Sequence, residues 1–347
     1  MENSKDIEPS GVLPTEAKQS EERPVAKEKH QPDVEINIFY SAHGVGENVA
    51  MLASLFKRAD IFFPEYPSWT STSLVDFQDL SAGEISADEM LSQYGWDRKS
   101  PPWFTTSKIR LVEKSKKAIG FVDLPFGHPL EMQLENSRKK YKSRLASARN
   151  FDQMLEATLA NLKDESSLAR AREEHVASQI DSEIDRIFKL KPSLKRKQKV
   201  NVLLDLGGAH TYVAHILKSK GFNIARHFGS LNRIQTLRNE ALRRLAFNRD
   251  VDKKFLASVL LEQEFSETDA FTVLSDVIGV NTKVLQTAVR RIAESFSIDD
   301  VKNIFEQKNN PFYIQRLFLS LLGEEAPYLK QTLDAYLQSE KAHKKTE

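Results

Sequence analysis

The sequence contains no cysteine. Disulfides, thiolate nucleophiles and cysteine-ligated zinc are excluded, although this absence says little about compartment. No apolar run comes near the roughly 20 residues of a membrane span. The N-terminus is polar, without the apolar core of a secretory signal, so a cytoplasmic protein is expected. Net charge is nearly absent, with 50 Lys and Arg against 49 Asp and Glu leaving +1. No global field draws the chain to nucleic acid or to an anionic membrane, and nucleic acid is not expected as a partner. Aromatic residues are absent from residues 1–33, where Glu, Lys, Ser, Gln and Pro dominate. Such a segment buries too little to offset its ordering entropy, so a disordered arm is expected there, and also over Lys341–Glu347.

What remains is an ordinary globular composition, 40% apolar and 29% charged in 347 residues. That length suffices for one large domain or two ordinary ones. Two histidines stand out, each just past a short apolar run: Ile36-Asn37-Ile38-Phe39-Tyr40-Ser41-Ala42-His43 and Val202-Leu203-Leu204-Asp205-Leu206-Gly207-Gly208-Ala209-His210. A third run, Ile61-Phe62-Phe63-Pro64, ends in Glu65. In an open α/β sheet, ligands bind at the carboxyl ends of strands. Histidines and a carboxylate delivered there are raw material for acid–base or metal chemistry.

The pattern predicts strands near 35–40, 60–63, 117–123, 200–206 and 223–228, with a β–α–β unit over the first thirty ordered residues. Residues 66–118 form an aromatic, polar insertion holding all three tryptophans. Trp69 and Trp103 there either wall a cleft that binds substrate or form the core of a small helical excursion. Asp123 and His128 follow the next strand. Two long charged helices are expected, near 130–163 and 166–189. The basic stretch Lys189–Lys199 reads as a solvated loop rather than a phosphate site, because it lacks interleaved aromatics. After about Ser230 apolar residues recur only at helical spacing. The predicted fold class is α/β, a mostly parallel central sheet flanked by helices, with a long helical middle insertion and an all-helical C-terminal region. The expected division is an arm (1–33), an α/β domain (34–232) and a helical domain (233–340), whose helices offer a protein-binding surface.

The order strand–His turn–helix–strand–Glu65, then Arg172-Glu173-Glu174-His175 on a helix, then strand–Gly207-Gly208-Ala209-His210, resembles the erythromycin esterase/ChaN/TraB/TIKI superfamily. The resemblance covers about residues 35–230. Gly207 and His210 match its second Gly-x-x-His turn. Glu65 fits its acidic position, and Arg172 with Glu173 fits its Arg-acidic pair at a helix start. Tyr40 departs from the pattern, standing where the first turn would have glycine, and this questions that turn's backbone. The resemblance implies a hydrolase-like site acting on an ester or amide, in a small molecule or peptide, with or without a metal.

The candidate catalytic residues are therefore His43, Glu65, Arg172 and His210, expected to share one cleft. Glu47, Trp69, Trp103, Asp123 and Glu173 are candidates for substrate binding, although Glu47 equally suits a helix N-terminus. Two neutral imidazoles with Glu65 suit a divalent ion such as Mn²⁺ or Zn²⁺. They equally suit metal-free hydrolysis, in which a histidine takes a proton from water and Arg172 steadies the anion. His175 reads as a helix-surface histidine. Two rival readings stand beside these. A methyltransferase-like cofactor binder needs an acid at the end of the strand after Gly208, where the chain has Arg226-His227-Phe228. A non-catalytic binding or scaffold protein would work through its arm and C-terminal helices.

Overall fold

The computed structural model describes residues 32–41, 47–94, 103–208, 210–229, 236–280, 282–307 and 311–343. β-Branched and aromatic residues make Asp33–Ser41 a strand, β1. Helix α1 (Glu47–Arg58) leads to β2 (Ile61–Phe63). The insertion folds as α2 (Ser71–Ala82), α3 (Ala87–Gln93) and α4 (Trp103–Val112), and capping boxes start α2 at Thr70 and α3 at Ser86. Strand β3 is only Ala118–Ile119, shorter than the expected 117–123, because its partner β2 ends at Phe63.

The helical middle is α5 (Pro129–Ser147) and α6 (Phe151–Leu190). The break falls at 148–150 rather than near 164. Asn150 fixes it, its side chain accepting from the Gln153 amide as an N-cap. Arg172 and Glu173 consequently lie in mid-helix, not at a helix start. A short α7 (Pro192–Lys195) precedes β4 (Lys199–Gly207), α8 (Tyr212–Ser219) and β5 (Asn223–Phe228).

Beyond β5 the described residues form helices only. They are α9 (Leu237–Ala246), α10 (Lys253–Ser266), α11 (Asp269–Thr272) with a π-helical turn at Val273–Val277, α12 (Thr282–Ser295), α13 (Ile298–Glu306), α14 (Pro311–Glu325) and α15 (Pro327–His343). Helix α15 continues through Lys341–His343, part of the stretch expected to be disordered. Residues 1–31 of the expected arm and 344–347 lie outside the described residues.

The five strands are all parallel, in the order β3-β2-β4-β1-β5. β4 lies between β1 and β2, so the expected β–α–β unit is present as a crossover that skips one strand. β4 is buried along nearly its whole length, as a central strand covered on both faces must be. Helices α1–α4 cover one face, over Phe39, Phe62, Ile119 and Leu203. The other face, with Ile36, Ile38, Phe63, Val202 and Leu204, packs on α8 and on Val176–Phe188 of α6. The first third of α6 leaves the sheet, and its Phe151, Leu155 and Leu162 join the core of α9–α15. At about 1.5 Å per residue, one 40-residue helix of roughly 60 Å thus serves two cores.

Candidate functional site

The connection from β1 passes over one face of the sheet to β2, and that from β4 passes over the other face to β5. Two adjacent strands whose connections diverge define a topological switch point, where helices cannot fill the space above the strand ends. Ser41 and Gly207 are paired at that point, and the Gly208 amide donates to the Ser41 carbonyl at 2.9 Å.

Glu65 reaches the same edge because Phe63 is in register with Leu204. Two residues on, its carboxylate stands beside the next turn of chain, where Oε2 accepts from the Gly207 amide. Asp123 follows β3, and its Oδ1 accepts from the Leu124 amide at 2.8 Å. From mid-α6, Arg172 reaches over both carboxylates. Its Nε and Nη2 donate to Asp123 at 2.8 and 2.6 Å, and Nη2 also donates to Glu65 Oε1 at 3.3 Å. Such two-pronged pairing is the geometry in which arginine binds carboxylates most strongly. Burial works against the Arg172 charge, but hydrogen bonds to Asp123 and the charges of Asp123 and Glu65 outweigh it and raise its pKa.

His210 lies between two carboxylates. Its Nε2 is 3.3 Å from Glu65 Oε1 and its Nδ1 is 3.6 Å from Glu173 Oε1. Glu173 is fixed in turn, since its Oε2 accepts from the Val213 amide at 2.8 Å. Burial pulls the imidazole down, but the hydrogen bonds to Glu173 and Glu65, with the Glu65 charge, push its pKa up to about 9. His210 is therefore a cation at neutral pH. This corrects the expectation of a neutral imidazole ready to accept a proton.

The structure thus gathers Glu65, Asp123, Arg172, Glu173 and His210 into one network of three carboxylates and two cations. Trp69 stands beside it as a strut, its indole N–H donating to the Asp123 carbonyl at 2.7 Å while its ring lies 5.8 Å from that of Phe121. Arg172 Nη1 is 3.4 Å from His210 Nε2, so the guanidinium occupies the space a metal ion shared by Glu65 and His210 would need. Glu65 and His210 by themselves do not make such a site, and no group of three or more His, Asp or Glu among the described residues could hold a metal ion. His43 lies outside the described residues, as do the side chains of Glu47 and Trp103.

His128 and His175 sit in a ring contact of 4.9 Å, and His128 Nδ1 accepts from the Leu130 amide as the cap of α5. Burial and the nearby His128 lower the His175 pKa.

Sequence reasoning missed a buried ion pair between Lys108 of α4 and Asp205 of β4, with side chains 8% and 0% exposed. Its one signal was an acid inside an otherwise apolar strand flanked by helices, which requires a partner. Compared with protein-family models, curated proteins and solved structures, the chain matches none.

Proposed function

We propose that the network is a metal-free hydrolytic site acting on an ester or amide, in line with the superfamily resemblance. The observation that supports this is the ordering of charge towards solvent. The Arg172 and His210 side chains are 16% and 15% exposed, while Glu65, Asp123 and Glu173 beneath them are 9%, 2% and 4% exposed. Cations held by buried carboxylates and facing outward are preorganised for a developing oxyanion. In this reading Arg172 and His210 hold the anionic oxygen, and His210 gives its proton to the leaving group. Glu65 is the carboxylate placed to take a proton from water, while Asp123 and Glu173 position the two cations.

The test is turnover of a panel of aryl esters and amides by wild type, His210→Gln and Arg172→Lys. Loss of the general acid should cost 10²–10⁴-fold in rate, and wild-type activity should fall as pH rises through about 9. A second reading has its own observation: every cation of the network already has a carboxylate partner, so the cluster also serves to clamp α6 to the sheet. If no substrate is turned over at any pH while both variants lose stability, the non-catalytic reading replaces the hydrolase. A methyltransferase-like reading finds no acid at the end of β5, where His227 Nε2 lies 2.9 Å from Asn37 Oδ1.

A further inference from the structure

The opposite end of the sheet, where the strands begin, carries a different chemistry. Residues 189–199 hold six cations and no acid, namely Lys189, Lys191, Lys195, Arg196, Lys197 and Lys199. A second basic stretch, Lys114, Lys116 and Lys117, is brought against them between α4 and β3. The contact is direct, since Lys191 Nζ donates to the Lys116 and Lys117 carbonyls at 3.2 Å. Carboxylates neutralise only part of this surface, where Lys197 pairs with Asp60 and Lys199 with Glu35. Among the described residues Lys114, Lys116, Lys117, Lys189, Lys191, Lys195 and Arg196 pair with no carboxylate. Cations at the C-terminus of α6 are favoured by its dipole. That effect fades within a turn and does not account for Lys195 and Arg196, or for the second stretch.

The same surface is apolar at its centre. A groove of about 430 Å³ runs between α2, β3 and the end of α6. Ala82, Ile119, Ile187 and Leu190 give it an apolar lining, with Lys116, Lys117, Arg186 and Lys191 around them. Leu190 is 64% exposed, flanked by two lysines. Burial lowers the pKa of both Lys117 and Lys191, so a nearby anion would restore what burial takes from them.

We propose that this basic end of the sheet docks on an anionic phospholipid surface, with the exposed Lys114, Lys116, Lys189, Lys195 and Arg196 on the headgroups and Leu190 entering the acyl boundary. Clusters of four to eight Lys/Arg bind acidic lipids in this way. Single-stranded nucleic acid is the weaker fit, because it is bound without sequence preference by stacking bases on aromatic rings, and the groove lining contains none; a duplex, bound through phosphates alone, would leave the apolar groove and Leu190 without a role. No helix among the described residues is long and apolar enough to cross a membrane, so the contact is peripheral. Docking this end leaves the Glu65–His210 network, at the carboxyl edge, facing away from the lipid.

The test uses the full chain and vesicles of phosphatidylcholine with or without about 30 mol % phosphatidylserine. Wild type should float with the phosphatidylserine vesicles alone, and should be released when salt rises from about 0.1 to 0.5 M. The triple variant Lys189→Gln, Lys195→Gln, Arg196→Gln removes three exposed, unpaired cations. At roughly fivefold per cation it should bind about a hundredfold more weakly. Leu190→Gln should weaken binding while keeping the salt dependence. Equal binding to both vesicle types, or no loss in the triple variant, would overturn the proposal. So would a single-stranded RNA that binds more tightly than the vesicles. The wild-type salt titration needs no variant, so the proposal can fail even if a substitution disturbs folding.

Discussion

His210 should make the stability of this protein fall in alkali. Its pKa of 6.5 in the unfolded chain rises to about 9 on folding, where Glu173 and Glu65 face its two nitrogens. At about 1.36 kcal/mol per unit, that shift is roughly 3 kcal/mol. A histidine whose pKa rises on folding contributes this stability in full below its unfolded value. The contribution is lost as pH climbs through the folded value. Urea unfolding of wild type and of His210→Gln, each measured between about pH 6 and pH 10, isolates the effect. The stability difference should be largest near pH 6 and should shrink by roughly 3 kcal/mol by pH 10. Any offset constant in pH reports packing instead. An NMR titration placing the His210 pKa below 7, or a difference that does not change with pH, would refute the reasoning.

Three further outcomes follow from buried groups. Glu262 caps α9 through the Leu237 amide at 2.7 Å, and burial raises its pKa to about 7. Its ionisation therefore costs stability as pH rises from about 4.5 through 7, and Glu262→Gln should be more stable than wild type by roughly 3 kcal/mol at pH 8, yet equal to it near pH 4. Lys108→Met should lose about 3–5 kcal/mol by removing the cation that faces the buried Asp205 charge, whereas Lys108→Met with Asp205→Leu should recover most of that loss in the same urea assay. Gly120→Ala would put a Cβ against Glu183 Oε1 and 2.7 Å from Phe63, so thermal melts should show a loss of about 1–3 kcal/mol, while Gly208→Ala, which among the described residues meets the Ser41 carbonyl at 3.7 Å, should melt like wild type.

How much of this was legible in the sequence depended on how local the signal was. The strands around Ile38 and Leu204 announce themselves through apolar runs rich in Ile, Val and Leu, and the C-terminal helices through their 3.6-residue period. The start of α6 was misplaced because charged residues carry helical periodicity smoothly across 148–150, and only Asn150 marks the cap. Strand order was not legible. Nothing local places β4 between β1 and β2, since that follows from how the helices divide between the two faces. The candidate residues Glu65, Arg172 and His210 were found by their positions after strands or within a motif. Their convergence was expected from the shared strand edge and is found for these three, but the pairing of Arg172 with Asp123, 49 residues away, was not legible. The protonation state of His210 depends on Glu173 and Glu65, and the sequence offers Glu173 as a substrate-binding candidate beside Arg172 rather than as a partner of His210.

Tyr40 shows how register rather than motif builds the edge. Where the resembled pattern has glycine, Tyr40 lies inside β1, paired with Leu206 on one side and Phe228 on the other. Extended backbone there suits any residue, so glycine's freedom is not required at that position. Its ring is buried, stacks on Phe228 at 5.1 Å and faces the α6–α8 side, where burial and the nearby Glu173 raise the phenol pKa. The departure is therefore absorbed by core packing between β1 and β5. What brings Glu65, Asp123, Arg172, Glu173 and His210 together is the pairing of Phe63 with Leu204 and the length of α6. A substitution that shifted either would scatter the network while leaving every motif residue in place.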